Sequence, residues 1–461
     1  MIYTDDTIAA ISTPSGSGGI GIVRISGSDA FDAADKLFFT PNNKKTAVSS
    51  MKTHTIKHGW IRDPKTGETV DECLLSKMDA PATYTRENVV EINCHGGIAV
   101  MKKILEAVYS TGVRPAEPGE FTKRAFLSGR IDLSEAEAVM DVINADTELA
   151  RRAAQNQLSG VLSDKIEEIR KKITGFLAET EVSIDYPEYD ADEEVKEFTF
   201  EGVIEAEKEL SDLLNTASHG RIIREGLRVV IAGKPNAGKS SLLNALAGHD
   251  RAIVTDVPGT TRDTIEEAVD FDGFPVILTD TAGIRETEDL VEKIGVSRSR
   301  DAIAESDLIL LVTDASSEDI PDAEEFESFP KDKTMIVINK TDLSDRGRIN
   351  ALKEHFNGYR CIETSLLKKD GSQPVFEAVK DFSGVFKHKD GVILTNTRHI
   401  DLAQKALSYM RNVKKSIEEK RPLDCISFDL WQCANTLGEI TGQNAGEDVI
   451  NEIFSRFCLG K

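Results

Sequence analysis

Apolar residues change their spacing several times along this chain. Up to about residue 120 they come in short β-rich runs, Ile20 to Ile25 and Val89 to Ile92, followed by a helical pattern from Met101 to Tyr109 that Thr111 and Gly112 end. From Leu133 to Glu179 the spacing is helical throughout: Leu133, Ala136, Val139, Ile143, Ala150, Ala154, Leu158, Leu162, Ile166, Ile169, Ile173 and Leu177. An acidic stretch at 185–194 breaks this run, and a further helix is expected at 201–217. Short apolar strands then alternate with helical segments over 222–383, and helical spacing returns in 399–418 and 427–457. A strand-and-helix segment flanked on both sides by helices reads as an α/β domain inserted into one helical bundle, because domains with neighbouring termini tolerate such placement. Two separate helical domains are the alternative.

The inserted segment carries the most specific chemistry. The run Leu227, Val229, Val230, Ile231 leads into Gly233–Ser241 (G-K-P-N-A-G-K-S-S), and a helical pattern follows. In that strand, loop and helix context a G-x-x-x-x-G-K-[ST] match implies a phosphate cradle. Glycines let N–H groups curl around phosphates, the helix N-terminus adds partial positive charge, Lys239 reaches the terminal phosphates, and the Ser240 hydroxyl ligates Mg²⁺. Pro258-Gly259-Thr260-Thr261-Arg262-Asp263 supplies a threonine suited to Mg²⁺ and to sensing the γ-phosphate. Asp280-Thr281-Ala282-Gly283 ends an apolar run, with Asp280 at the metal shell and the Gly283 N–H facing the γ-phosphate. After Met335 to Ile338 comes Asn339-Lys340-Thr341-Asp342. There the Asp342 carboxylate accepts two hydrogen bonds from guanine, Lys340 covers the base and Asn339 braces the loop. Four motifs in this order imply guanine-nucleotide binding.

A length of 461 residues suggests about three domains. A net charge of −23 argues against a broad nucleic-acid or membrane surface. No apolar run approaches the ~18 residues a membrane span needs, and no export signal is seen at the start. Six cysteines without a C-x-x-C pair fit reduced thiols in a cytoplasmic protein. Cys94-His95 reads as a turn at a strand end rather than a metal site. Basic helix faces, Arg151, Arg152, Arg170, Lys171 and Lys172, then Lys405, Arg411, Lys414, Lys415 and Lys420, face either RNA or solvent.

Where many GTPases place a glutamine after the D-T-A-G segment, this chain has Ile284, which cannot orient water. Arg262, Arg285, Glu286, Glu288 and Glu292 are the nearby charged candidates, and the Asn236 amide suits a monovalent cation beside the triphosphate.

Further motifs lie outside that domain: Thr13 to Gly27 (T-P-S-G-S-G-G-I-G-I-V-R-I-S-G), Cys94-His95-Gly96-Gly97, Pro118 to Leu127 (P-G-E-F-T-K-R-A-F-L), and the terminal Cys458-Leu459-Gly460-Lys461. With Gly233–Ser241 and Gly259–Asp263 they make the whole chain resemble the MnmE (TrmE) tRNA-modification GTPase family. The resemblance implies a tetrahydrofolate-binding and dimerisation domain at 1–120, a helical domain at 121–221 and 384–461, and a Ras-like P-loop GTPase domain inserted at 222–383. It implies a cytoplasmic homodimer that works with the FAD-containing partner MnmG, in a heterotetramer or larger complex. Together they add an aminomethyl-type (carboxymethylaminomethyl) group to C5 of the wobble uridine of certain tRNAs, the carbon coming from a tetrahydrofolate derivative (5-formyl- or 5,10-methylene-tetrahydrofolate).

By matching position, the resemblance places GTP against Asn236 to Ser241, Thr255, Asp256, Val257, Pro258, Gly259, Thr260 and Thr261, Asp280 to Gly283, Asn339, Lys340, Asp342, Ser365 and Leu366. Within that set Ala237, Gly238, Lys239, Ser240 and Ser241 are the loop itself, and Thr281 and Ala282 lie between Asp280 and Gly283. Ser240 and Thr261 resemble the Mg²⁺ ligands. Asn236, helped by backbone oxygens at Thr255, Val257 and Thr260, resembles the K⁺ site, and Glu292 the residue that directs the attacking water. Arg24, Glu91, Arg130 and Lys461 resemble the folate contacts, and Cys458 a thiol that modification requires and GTP hydrolysis does not. The chain departs from the family pattern at Leu459 for isoleucine, at Ser365-Leu366-Leu367 for Ser-Ala-x, and at Arg130, where lysine is also common. A GTP switch in ribosome assembly, without one-carbon chemistry, is the competing reading; it has no need of the N-terminal motifs or the end motif.

Overall fold

The computed structural model describes residues 6–14, 16–41, 44–45, 47–186, 192–248, 266–280, 302–318, 320, 326, 329–385 and 391–461. The chain forms two compact units, Met1–Met140 with Leu437–Lys461, and Asp141–Thr436.

The first unit is built on an eight-stranded sheet. Its strands are β1 (Ile8–Ile11), β2 (Gly21–Ser26), β3 (Phe38–Thr40), β4 (Lys44–Lys45), β5 (Thr55–Arg62), β6 (Thr69–Met78), β7 (Val89–Cys94) and β8 (Arg114–Pro115), in the order β4-β3-β5-β6-β7-β2-β1-β8. Neighbours pair antiparallel except β1 with β8. Alternation along the strands sends Ile61, Cys73, Leu75, Val90 and Ile92 into one core, where helices Ala30–Leu37 and Ile98–Tyr109 cover them. The opposite face of β5 and β6 leaves Ile56 and Leu74 exposed. The hairpin β5–β6 lacks a clean apolar alternation because its outward positions Ile56, His58, Trp60 and Leu74 mix apolar with polar side chains, and Lys57 takes an inward one.

An ion cluster around buried Arg124 and Glu120 ties Asp6 into this unit. Arg124 lies 2.7 Å from Asp6, 3.0 Å from Glu87 and 2.9 Å from Glu120, and Arg114 lies 2.6 Å from Glu120. Burial pushes the Glu120 carboxyl up, but hydrogen bonds from Arg114, the Glu117 N–H and Arg124 outweigh it and hold it below its ordinary value. Its stabilising share is therefore full above the ordinary carboxylate value and is lost as pH falls through the depressed one. Arg124→Ala leaves Glu87 without its cation, while Asp6 and Glu120 keep Arg114, and is expected to cost about 3–5 kcal/mol. Urea unfolding of the full chain, read through Trp60 in a Trp431→Phe background, checks this; an unmoved midpoint would contradict it.

In the second unit a six-stranded sheet runs β10-β11-β9-β12-β13-β14, from β9 (Leu227–Gly233), β10 (Glu266–Phe271), β11 (Phe274–Asp280), β12 (Leu308–Asp314), β13 (Thr334–Asn339) and β14 (Arg360–Glu363). All neighbours are parallel except β10 with β11. Strands β12 and β13 are apolar at nearly every position because a parallel sheet is covered on both faces. Leu310, Val312 and Val337 enter one core, and Ile309, Leu311 and Ile336 the other.

Helices account for the rest of this unit, and Leu133–Ile143 and Glu447–Ser455 belong mainly or wholly to the first. The single helical run expected from Leu133 to Glu179 is three helices, Leu133–Ile143, Glu148–Leu158 and Val161–Asp185. Thr147 caps the second through Ala150 N, and Gly160, at φ 87°, turns the chain into the third. Apolar spacing carries across both breaks, so periodicity alone hides them. The helix expected at 201–217 spans Asp192–Leu214 and is followed by Ala217–Glu225. The pattern at 427–457 is likewise two helices, Leu423–Thr441 and Glu447–Ser455, parted at Gly442. A Cβ on Gly442 would lie 2.8 Å from Leu133 Cβ.

Helix Asp192–Leu214 lies along Thr397–Glu418. Leu394 N donates to Thr216 Oγ1 at 3.1 Å, and a Cβ on Gly220 would fall 2.0 Å from the Leu394 carbonyl oxygen. The chain thus leaves the helical layer for the sheet and returns to it at one place, the geometry of an insertion.

Candidate nucleotide-binding site

Gly233, Asp280, Asp314 and Asn339 all end parallel strands at the same edge of the second sheet. Strand order departs in opposite directions from β9, which makes the loop after it the crevice where ligands of open α/β sheets bind. Gly233 has φ 142°, and a Cβ there would lie 2.2 Å from the Val312 carbonyl oxygen. Asn236, at φ 62°, and Gly238, at φ 104°, complete the turn into helix Lys239–Ala247. Lys239 is buried, and its Nζ donates to the Lys234 carbonyl at 2.9 Å. Ser240 is exposed at the start of that helix.

Three loops are knitted together by one buried amide. Asn339 Nδ2 donates to the Ala237 carbonyl at 3.0 Å, and its Oδ1 accepts from Leu366 N at 3.4 Å. A Cβ on Gly238 would sit 2.2 Å from Asn339 Nδ2, so glycine is required for this approach. Lys340, at φ 60°, donates to the Asn236 carbonyl at 3.0 Å and pairs with Asp314 at 2.6 Å. The Ser365 hydroxyl donates to Asp342 Oδ1. That bond holds the Asp342 carboxyl below its ordinary value, keeping it an acceptor. Burial raises the Asp314 carboxyl, but hydrogen bonds from Lys340 and Ser316 outweigh it and leave it lowered. The expected residues Asn236 to Ser241, Asn339, Lys340, Asp342, Ser365 and Leu366 therefore come together at one sheet edge. Asp314 escaped the sequence reading; its only signal was an acidic residue ending the apolar run Leu308 to Thr313, the same signature as Asp280.

Thr255, Asp256, Val257, Pro258, Gly259, Thr260, Thr261, Arg262, Thr281, Ala282, Gly283, Ile284, Arg285, Glu286, Glu288 and Glu292 lie outside the described residues, as does the side chain of Asp280.

The remaining candidates lie in the first unit. Arg24 on β2 and Glu91 on β7 are register partners and pair at 2.8 Å. The Tyr84 ring lies 5.9 Å from the Arg24 guanidinium and 4.7 Å from that of Arg130, whose Nη1 donates to the Tyr84 carbonyl at 2.9 Å. Arg24 Nη1 also reaches the Gly460 carbonyl at 3.5 Å, and Ser12 Oγ donates to the same oxygen at 3.0 Å. The chain end is thus pinned beside Arg24, with Lys461 half-buried and Cys458 exposed. Tyr84 joins these groups and carried no sequence signal.

Most of the basic helix faces are ion-paired. Arg151 and Arg152 pair with Glu148, Arg170 with Glu167, Lys172 with Glu205 and Glu209, Arg411 and Lys414 with Glu207, and Lys415 with Glu419. Cys94 is buried with its thiol donating to the Gly21 carbonyl, and His95 pairs with Asp71. Among the described residues no helix is long and apolar enough to cross a membrane.

A parallel sheet with a glycine-rich loop at its switch point, tied by one asparagine to a carboxylate-bearing base loop, defines a P-loop guanine-nucleotide-binding protein. A family model described as the MnmE helical domain matches residues 133–458, and one described as the GTP-binding protein TrmE N-terminus matches residues 7–130. The tRNA modification GTPase MnmE of Acetivibrio thermocellus is 48% identical to this chain, covering 100% of each. The protein of the same name from Bacillus subtilis is 48% identical over 99% of this chain and 100% of its own. The Staphylococcus epidermidis protein is 46% identical over 99% of each. The chain belongs to the MnmE (TrmE) family.

Proposed function

We propose that this chain hydrolyses GTP and uses the resulting conformational cycle in modifying tRNA. The observation that carries the nucleotide part is the Asn339 bridge between the phosphate loop and the loop of Ser365 and Leu366, beside an Asp342 carboxylate kept in its acceptor form. In this reading the residues that ring the sheet edge hold GTP, Lys239 reaches its terminal phosphates, and Ser240 with Thr261 ligates Mg²⁺. Asn236, with backbone oxygens of Thr255, Val257 and Thr260, holds K⁺, and Glu292 directs the attacking water.

In this reading residues 1–120 bind folate and pair, 222–383 bind GTP, and 121–221 with 384–461 form the helical domain. The N-terminal groups suit a folate: Glu91 offers an acceptor to an aminopyrimidine edge, Arg24, Arg130 and Lys461 offer donors to carboxylates, and Tyr84 presents a flat face. When bound, the folate supplies the one-carbon unit. Exposed Ile56 and Leu74 on the uncovered sheet face support a homodimer through the N-terminal domains. The FAD-dependent partner MnmG and a wobble-uridine tRNA complete the complex. All six cysteines are free, in keeping with a cytoplasmic setting.

GTP turnover is expected to be at least about tenfold faster in K⁺ than in Na⁺ at equal ionic strength, because a cation near the transferred phosphoryl group supplies charge that Ile284 and the rest of the loop do not. Steady-state phosphate release in the two salts measures this, and equal rates would remove the cation role.

A further inference from the structure

The hairpin β10–β11 is the described element that joins the two segments expected to sense the γ-phosphate. In sequence, β10 starts just after 249–265 and β11 ends just before 281–301. Its turn is Asp272-Gly273, at φ 53° and 104°.

This turn is held by the helical part of the same unit. The Gly273 carbonyl accepts from Leu149 N at 3.0 Å. Leu149 is the second residue of helix Glu148–Leu158, and the first N–H groups of a helix have no partner within it. Thr147 Oγ1 satisfies the Ala150 N–H at 3.3 Å, and the hairpin satisfies that of Leu149. The hairpin turn is therefore part of this helix's cap. Leu149, Ala150 and Ala153 pack on the core that contains Phe271 and Phe274, and the position of a Gly273 Cβ is 3.3 Å from Leu149 Cγ.

At its other end the same helix meets the chain returning from the nucleotide domain. Thr395 Oγ1 donates to Gln157 Oε1 at 3.3 Å, both residues being buried. Asn156 and Gln157 also line a cavity of about 30 Å³ with Gly391, Val392 and Ile393. One helix thus bonds the hairpin turn at its start and the returning chain at its end, with a small cavity beside the second contact.

We propose that the Leu149 N–H···O=C Gly273 bond is the contact through which the nucleotide state is passed to the helical domain, with Leu149 a positioning residue. A hairpin that moves away exchanges this bond for water, so a change of hairpin position changes the free energy at the helix start. Such a difference is what coupling requires. The inference rests on the GTPase reading above.

Leu149→Pro deletes a first-turn donor that has no acceptor within the helix, and Leu149→Ala trims the side chain but keeps the donor. With Leu149→Pro, purified chain is expected to hydrolyse GTP within about twofold of the parent. In cells carrying it as the sole copy, wobble-uridine modification should fall about tenfold or more, with Leu149→Ala falling less. Unchanged modification, or loss of hydrolysis and modification in proportion, would overturn the proposal. Hydrogen exchange needs no variant. In the parent chain, the peptide 147–153 should exchange at least about tenfold differently with GDP than with GDP and aluminium fluoride in K⁺. Identical exchange in the two states would also overturn it. A parent chain that fails to hydrolyse GTP would instead sink the GTPase reading.

Discussion

Asp342→Asn is expected to turn a GTP-preferring chain into one that prefers xanthosine triphosphate. The Asp342 carboxylate offers only acceptors, and the hydrogen bond from the Ser365 hydroxyl favours its charged form. Guanine presents two donors to it, on N1 and the exocyclic amine. The asparagine amide turns one acceptor into a donor, which clashes with guanine and suits the extra oxygen of xanthine. Two hydrogen bonds to a charged group are worth roughly 1.5–3 kcal/mol each, so the loss of GTP affinity is about 10²–10⁴-fold. The substitution is nearly isosteric and the side chain is exposed, so the fold is unaffected. Competition titrations with the two triphosphates measure the ratio, and a retained GTP preference would show that Asp342 does not read the base.

Cys458→Ser separates the two activities most sharply. Cys458 is exposed, its carbonyl accepts from Gly119 N at 3.4 Å, and its neighbour Gly460 sits against Ile11 so closely that a Cβ would lie 2.1 Å from the Ile11 carbonyl oxygen. The tail is therefore held by its backbone, and its thiol stays exposed. Serine preserves the backbone and removes only thiol chemistry, so GTP turnover is expected to stay within about twofold while modified wobble uridine disappears. A Cys458→Ser chain that still modifies tRNA would show the thiol is dispensable.

The nucleotide loops were legible because the residues with special backbone or hydrogen-bonding demands fall in short contiguous motifs. Gly233 and Gly238 are forced by φ and by close approach, and Asn339 and Asp342 by the donors and acceptors they meet. Contacts set by tertiary pairing were not legible. Asp314 acts by neutralising Lys340 from another strand, and Tyr84 gains meaning from Arg24 and Arg130, far away in sequence. Lys172, Arg411 and Lys414 read equally as an RNA face or as solvated helix surface, since their carboxylate partners Glu205, Glu207 and Glu209 sit on a different helix. Helix breaks at Thr147, Gly160 and Gly442 were masked by apolar spacing that runs straight through them. The Gly273 contact to Leu149 is a backbone bond, which no side-chain pattern announces.

The central claim is that GTP turnover by this chain serves chemistry on the wobble uridine. Nucleoside analysis of bulk tRNA from three strains tests it: the parent, one lacking the chain, and one whose sole copy carries Cys458→Ser. The account predicts C5-modified wobble uridine in the parent and its absence from both others; undiminished modified uridine in the strain lacking the chain would contradict it.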